Sequence, residues 1–293
     1  MKSRKIWYSI SIGVIAIGLI GAFVRGVSFG IDFLGGTEVL VRFENPPAIS
    51  EVRDAVQKAG YNSSEIKVFG SPKDILIRTA EQSQGTTALD NIRKQLAIQF
   101  PNNPFKILKE DKIGPKIGAE LRTNAVYAVF SAMLIIMLYV GFRFQFIYGL
   151  AGVVALFHDV IATFGIIVLL NGLSPYLNLE IDQNIMAAFL TLVGFSINDT
   201  VVIFDRVREN LKIHKTEDLE SIINRSVNET LSRSIITNGT VFLVLIVLVI
   251  FGGEVNRGFA FTFFIGTILG TYSTIYVASS LVLDFSKRKV LKK

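Results

Sequence analysis

Six long apolar runs, at 6–24, 124–141, 148–170, 184 to about 204, 234–251 and 259–283, limit this chain more than any other feature. Each approaches the roughly 20 residues a helix needs to cross the hydrocarbon of a bilayer. Hydrophobic residues are 51% of the chain against 18% charged, with a mean hydropathy of +0.49, more apolar surface than one water-soluble core would use. The lipid bilayer is therefore the first expected partner. Lys2, Arg4 and Lys5 precede the first run as in a signal peptide. That run of 19 residues exceeds a usual signal core and no A-x-A-like site follows, so it reads as an uncleaved anchor.

A net charge of +6 and a pI near 9.4 would suggest nucleic acid in a soluble protein. The positions of the charges give another explanation. Of the 16 Lys and Arg outside residues 25–123, 15 fall at the N-terminus, Arg143, the segment 206–233 and the tail from Lys287; Arg257 is the exception. The positive-inside rule then places both ends in the cytoplasm, and no nucleic-acid partner is needed. The loop 171–183, with Glu180 and Asp182 and no Lys or Arg, fits the outer side. Zero cysteines and two histidines, His158 and His214, leave no disulfide framework, no thiolate metal site and no histidine-rich zinc centre.

Three expected regions follow: residues 1–24, the cytoplasmic N-terminus and first span; 25–123, an extracytoplasmic domain; and 124–293, five further spans with a cytoplasmic loop at 206–233 and a basic cytoplasmic tail. The middle region holds 26 of the 54 charged residues and no run long enough to span. There, 37–43 alternates as a half-buried strand, and Ile49, Val52 and Val56 recur at helical spacing up to Gly60. Residues 65–69 and 74–78 read as strands joined by a Gly-Ser-Pro-Lys turn. Leu89, Ile92, Leu96 and Phe100 mark a second helix ended by Pro101, and 105–108 supplies a last strand. The order βαββαβ is ferredoxin-like, an antiparallel sheet with both helices on one face. No paired carboxylates, G-x-S-x-G or phosphate loop appears in it, so docking is expected there and catalysis is not.

Ionisable residues inside spans are costly, about 2.5 to 3.5 kcal/mol each on insertion scales, and mark functional candidates. Asp199 lies about four residues from the middle of the fourth run, roughly 6 Å toward the cytoplasm. Asp159, beside His158, is near the middle of the third. Arg233 sits about 12 Å below the middle of the fifth, and its long side chain could reach inward to Asp199. Each has a plain alternative: Arg233 as an anchor that snorkels to water, Asp199 as a packing group paired in the bundle, and His158–Asp159 as a hydrogen-bonded structural pair. The functional reading is a proton-carrying carboxylate whose affinity changes as helices move. Asp205, Arg206, Arg208 and Glu209 read as solvated pairs at helical spacing.

Four stretches together resemble the SecF family of protein-export membrane proteins: Gly30-Ile31-Asp32-Phe33-Leu34-Gly35-Gly36, then Gly114-Pro115-Lys116-Ile117-Gly118-Ala119-Glu120-Leu121, then His158-Asp159, and the run from Ser196 through Asn198-Asp199-Thr200 to Asn210. The resemblance covers nearly the whole chain. It implies a non-enzymatic accessory subunit of the Sec machinery in the bacterial inner membrane, within the resistance-nodulation-division superfamily. Its implied partners are SecD as a separate chain, the SecYEG translocon with YajC as a further candidate, and the exported unfolded polypeptide. No cofactor is implied; protons are the coupling ion, with sodium as an alternative. Asp199 matches the family's intramembrane acid and Arg233 the basic residue near it, while Gly30, Asp32, Phe33, Gly35, Gly36, Asn198 and Thr200 carry the signature without an evident chemical role. One ferredoxin-like domain and six spans make half of the pseudo-symmetric unit of such transporters. A proton-driven half-transporter for lipids or small hydrophobic molecules is the competing expectation. An intramembrane hydrolase lacks H-E-x-x-H and a second aspartate in a protease motif.

Overall fold

A computed structural model describes residues 1, 3–62, 64–79, 87–144, 146–174 and 177–290. Lys2, Lys292 and Lys293, which entered the orientation argument, lie outside these. In hydrocarbon every backbone N–H and C=O must be satisfied within its own segment, so the apolar runs fold as helices. In chain order the elements are α1 (Arg4–Arg25), α2 (Ile31–Leu34), β1 (Gly36–Phe43), α3 (Ile49–Lys58), β2 (Glu65–Phe69), β3 (Ser71–Thr79), α4 (Thr87–Gln99) and β4 (Phe105–Ile113). They continue with α5 (Pro115–Arg143), α6 (Phe146–Leu170), α7 (Gln183–Ile213), α8 (Leu219–Phe251), α9 (Gly253–Ser273), a π-helical turn (Thr274–Ala278) and α10 (Ser279–Val290). Among the described residues, six helical segments are long and apolar enough to cross a membrane: α1, α5, α6, α7, α8 and Asn256–Ser286. The chain is a multi-pass membrane protein.

The helices outrun the apolar stretches that predict them. α5 starts at Pro115, a residue suited to a first helical position, not near 124. The expected loop 206–233 is mostly helix, and only 214–218 separates α7 from α8. Asp205 and Arg208 (2.6 Å) and Arg206 and Glu209 (2.7 Å) pair three residues apart, and Arg206 also reaches Glu229 on α8 at 2.5 Å. Asp218 caps α8 by accepting from Ser221 N at 3.1 Å. Beneath the charges, Ile203, Phe204 and Val207 bury against Ile222, Ile223 and Val227, so this amphipathic hairpin continues the bundle.

The chain divides into two units, Met1–Val27 with Tyr127–Leu170 and Asn184–Lys293, and Ser28–Val126 with Asn171–Gln183. In the first, α6, α7 and the last span are about half buried, while α1, α5 and α8 expose most of their apolar side chains. α1 meets α6 backbone to backbone: a Cβ on Gly18 would lie 2.6 Å from Gly165 Cα.

The second unit is a four-stranded antiparallel sheet in the order β2-β3-β1-β4. Val39, Val41 and Phe43 of β1 and Ile75 and Ile77 of β3 join Val52 and Val56 of α3 and Ile92, Leu96 and Phe100 of α4 in one core, which puts both helices on one face. The predicted turn at 70–73 is shorter than expected, because Gly70 turns the chain alone with φ 75° and Ser71, Pro72 and Lys73 already belong to β3. The β1–β3 ladder runs from Thr79 to Asp74, so the N–H that Pro72 lacks is not missed.

Residues 171–183, read from the sequence as a plain outer loop, belong to this unit. On the sheet face opposite α3 and α4, Glu180 binds Arg78 at 2.6 Å and Lys67 at 2.5 Å, and Arg78 also binds Glu38 at 2.8 Å. Burial alone would raise the Glu180 carboxyl, but the Arg78 hydrogen bond and the Lys67 charge outweigh it and hold it below the usual glutamate range. Burial works against the Arg78 cation too, and Glu180 and Glu38 overcome it. A depressed carboxylate stabilises the fold fully above its unfolded pKa and loses that contribution as pH falls through the folded value. Glu180→Gln is expected to lower hydrogen-exchange protection of β1 and β3 in the full chain about 30-fold, roughly 2 kcal/mol, at neutral pH. The difference from wild type should begin to narrow as pH falls below the ordinary glutamate range, about pH 4, and close as pH passes through the lower folded value.

Candidate intramembrane acidic site

Four elements of the first unit turn polar side chains inward at one level. α6 brings His158 and Asp159, α7 brings Ser196, Asp199 and Thr200, α8 brings Ser234 and Asn238, and the last span brings Thr271 and Thr274 with Gly270 between the helices. Asp159 is 0% exposed and Asp199 6%. Asp159 Oδ1 lies 2.9 Å from His158 Nδ1, and its Oδ2 accepts from Ser196 Oγ at 2.6 Å. Asp199 accepts from Ser234 Oγ at 3.0 Å and from Asn238 Nδ2 at 2.9 Å. Asn238 Nδ2 also donates to Thr271 Oγ1 at 2.8 Å, and the Thr200 and Thr274 hydroxyls meet at 2.9 Å. Ser196 and Asp199 are three residues apart on α7, so the two carboxylates flank one helical turn. A Cβ at Gly270 would stand 3.1 Å from Ser196 Oγ and 3.5 Å from Asp159 Oδ2, so glycine lets the last span approach both.

The donor chemistry decides what this site can do. A hydroxyl donates to a carboxylate and equally accepts from a carboxylic acid. Asn238 Oδ1 is buried with no hydrogen-bond partner among the described residues, so turning the amide over would present an acceptor to a protonated Asp199. The shell around Asp199 is neutral and serves either protonation state. A guanidinium in the same place would favour the anion alone.

Arg233 is not brought to Asp199. It is exposed, and its neighbour Ser234, about 100° further round α8, takes the position instead. Asn198, also in the signature, is exposed on α7, whereas Thr200 lies inside. Ser196, Ser234, Asn238, Thr271 and Thr274 are partners the sequence reading did not single out. A signal was present: Ser226, Thr230, Ser234 and Asn238 recur every fourth residue along α8, and all four are buried. Among the described residues no group of three acidic, His or Cys side chains is placed to hold a metal.

The remaining signature residues lie together in the second unit. Gly35 has φ 77°, and a Cβ there would sit 2.8 Å from Pro115 Cα; a Cβ on Gly118 would sit 3.0 Å from Gly35 N and 3.3 Å from Asp32 O. The Gly30–Gly36 and Gly114–Gly118 stretches are therefore two halves of one close contact, with Gly36 at φ 134° leading into β1 and Phe33 buried. A Cβ on Gly30 would lie 2.9 Å from Asp182 Cβ. Asp32 Oδ2 accepts from Gln183 N at 2.9 Å.

Six helices long enough to span among the described residues, buried carboxyl groups hydrogen-bonded to side chains of neighbouring helices and a βαββαβ unit after the first span define a polytopic membrane protein with a candidate intramembrane acidic site. Comparison with known proteins gives the family. Residues 94–288 match the model described as protein export membrane protein SecD/SecF, C-terminal, and residues 20–47 match the SecD/SecF GG motif. The chain belongs to the SecD/SecF family. It is 41% identical to the protein translocase subunit SecF of Rhodothermus marinus over 100% of this chain and 94% of that one. With SecF of Escherichia coli O157:H7 it shares 37% over 97% of this chain and 87% of the other. The crystal structure of SecDF from Thermus thermophilus, a translocon-associated membrane protein, matches with a TM-score of 0.84 and 34% identity over 98% of this chain. The chain spans 38% of the length of that SecDF chain.

Gly35→Ala adds both a positive-φ penalty and a collision with Pro115, and is expected to cost the second unit more than about 2 kcal/mol. Gly60→Ala, at φ 100° with open space around the added methyl, should cost only about 1 kcal/mol. Proteolysis of the second unit in membrane vesicles would rank the two.

Proposed function

We propose that this chain uses protons entering its intramembrane acidic site to promote passage of polypeptides across the bacterial inner membrane. Its family makes it an accessory subunit of Sec protein translocation, and its relatives favour protein export over the lipid-transport alternative. SecD, as a separate chain, supplies the other six-span half, in keeping with the SecDF chain of which this one matches a part. The SecYEG translocon, with YajC, and the emerging unfolded polypeptide are the further partners, and the chain catalyses no covalent chemistry. Both termini face the cytoplasm, as the basic residues suggest.

The observation that carries this reading is the solvation of Asp199. It is buried at membrane depth, yet its partners are a hydroxyl and an amide, so neither protonation state is locked. Gaining a proton on one carboxyl oxygen turns the partner on that oxygen, Ser234 or Asn238, from donor into acceptor while the other goes on donating, which changes what joins α7 to α8. His158, Asp159 and Ser196 pass the proton between the outer side and that turn of α7. Arg233, one residue from Ser234, adjusts Asp199 only when α8 rotates toward it.

The complex reconstituted with SecD and the translocon in vesicles tests this. Asp199→Asn is expected to reduce gradient-stimulated export to the level without a gradient, and Ser196→Ala to reduce it about tenfold. Undiminished stimulation in Asp199→Asn would refute the reading, and stimulation by a sodium gradient alone would replace protons with sodium.

A further inference from the structure

The signature around Asp32 takes no part in the acidic site, and its geometry points to a separate role. The stretch 28–36 is tied to the start of α7 by backbone and side chain. Ile181 N donates to Ser28 O at 2.8 Å and Gly30 N donates to Ile181 O at 3.0 Å, so Phe29 and Ile181 form a parallel bridge. Asp32 then accepts from Gln183 N, the first residue of α7. On its other side the same stretch is pressed on Pro115 and Gly118 at the start of α5, and the Arg122 guanidinium lies 5.9 Å from the centre of the Phe29 ring. All of these residues are in the second unit, and α7 continues unbroken from Gln183 through Asp199 to Ile213.

We propose that Asp32 is a positioning residue that couples the two activities of the chain, by clamping the first turn of α7 so that movement of the helix carrying Asp199 reaches the sheet unit. This rests on the proton-driven reading above. The first four N–H groups of a helix have no intrahelical acceptor, and a carboxylate on one of them opposes fraying. With the clamp intact, displacement of α7 is passed to 28–36 and through Gly36 directly into β1. Without it, the first turn unwinds and absorbs the displacement. The clamp lies outside the acidic site, so its loss leaves protonation of Asp199 unaffected.

The test measures two quantities in the reconstituted complex: proton uptake that depends on Asp199, and gradient-stimulated export. Asp32→Ala is expected to lower export about fivefold, the equivalent of one lost cap, with uptake unchanged. Asp32→Asn keeps an acceptor oxygen and should restore export. Gln183→Pro removes the donor at a position where a helix accepts proline, so it should uncouple in the same way and add nothing to Asp32→Ala. Hydrogen exchange in the first turn of α7 should rise about fivefold in both. Normal export in Asp32→Ala overturns the clamp, and so does a parallel loss of uptake and export, which would mean a merely structural role. Uptake in the wild type that is indifferent to Asp199→Asn would instead bring down the reading beneath it, and the clamp's coupling role with it.

Discussion

A carboxylate inside a helical bundle in a bilayer has to be solvated by side chains from neighbouring helices, and the packing of α6 to α9 is arranged around that requirement. Asp159 draws on α7, and Asp199 draws on α8, which in turn reaches the last span through Asn238 and Thr271. Such bonds have length tolerances of a few tenths of an ångström, so the helices must come close. Glycine makes the approach possible at Gly270, and again at Gly266, where an added Cβ would lie 2.5 Å from Leu192 Cδ2.

The two units treat ionised side chains in opposite ways. On the sheet, Arg78 and Lys67 hold Glu180 between formal charges, which favour its ionised form and keep its carboxyl below the usual glutamate range. The cluster serves as a fastener between residues 171–183 and the strands. In the spans, the partners of Asp199 are a hydroxyl and an amide, groups without formal charge. Position alone does not separate the two roles, since Glu180 and Asp199 are about equally buried. The partners do.

Much of this was legible in the sequence because apolar runs and alternating strands depend on local pattern. All six spans and the βαββαβ order follow from periodicity. Element ends did not, since hydropathy falls off before the helix does: residues 206–213 and 219–233 look like a polar loop, and become helix through pairs such as Arg206–Glu229, made across the hairpin. His158 and Asp159 are adjacent in sequence and could be paired by reading. Ser234 and Asn238 could not be preferred to Arg233 on depth, because depth along a helix says nothing of azimuth, and one residue changes the azimuth by about 100°. The glycine signatures were visible as patterns, but that Gly35 and Gly118 touch is a fact of tertiary structure.

The meeting of Gly18 with Gly165 has a consequence for how the spans can shift. Most helix pairs slide by letting side chains change rotamer, so their contact behaves as a cushion of many small adjustments. Here one helix rests on the other with no such cushion, and Gly21, whose added Cβ would fall 2.2 Å from Leu169 Cδ2, extends the contact a turn further. Rolling either helix drives main chain into main chain or into the Leu169 side chain. α1 and α6 therefore act as a single beam, and Asp159 is mounted on its inner side. Under the proposed mechanism that beam is the fixed reference against which α7 and α8 would move.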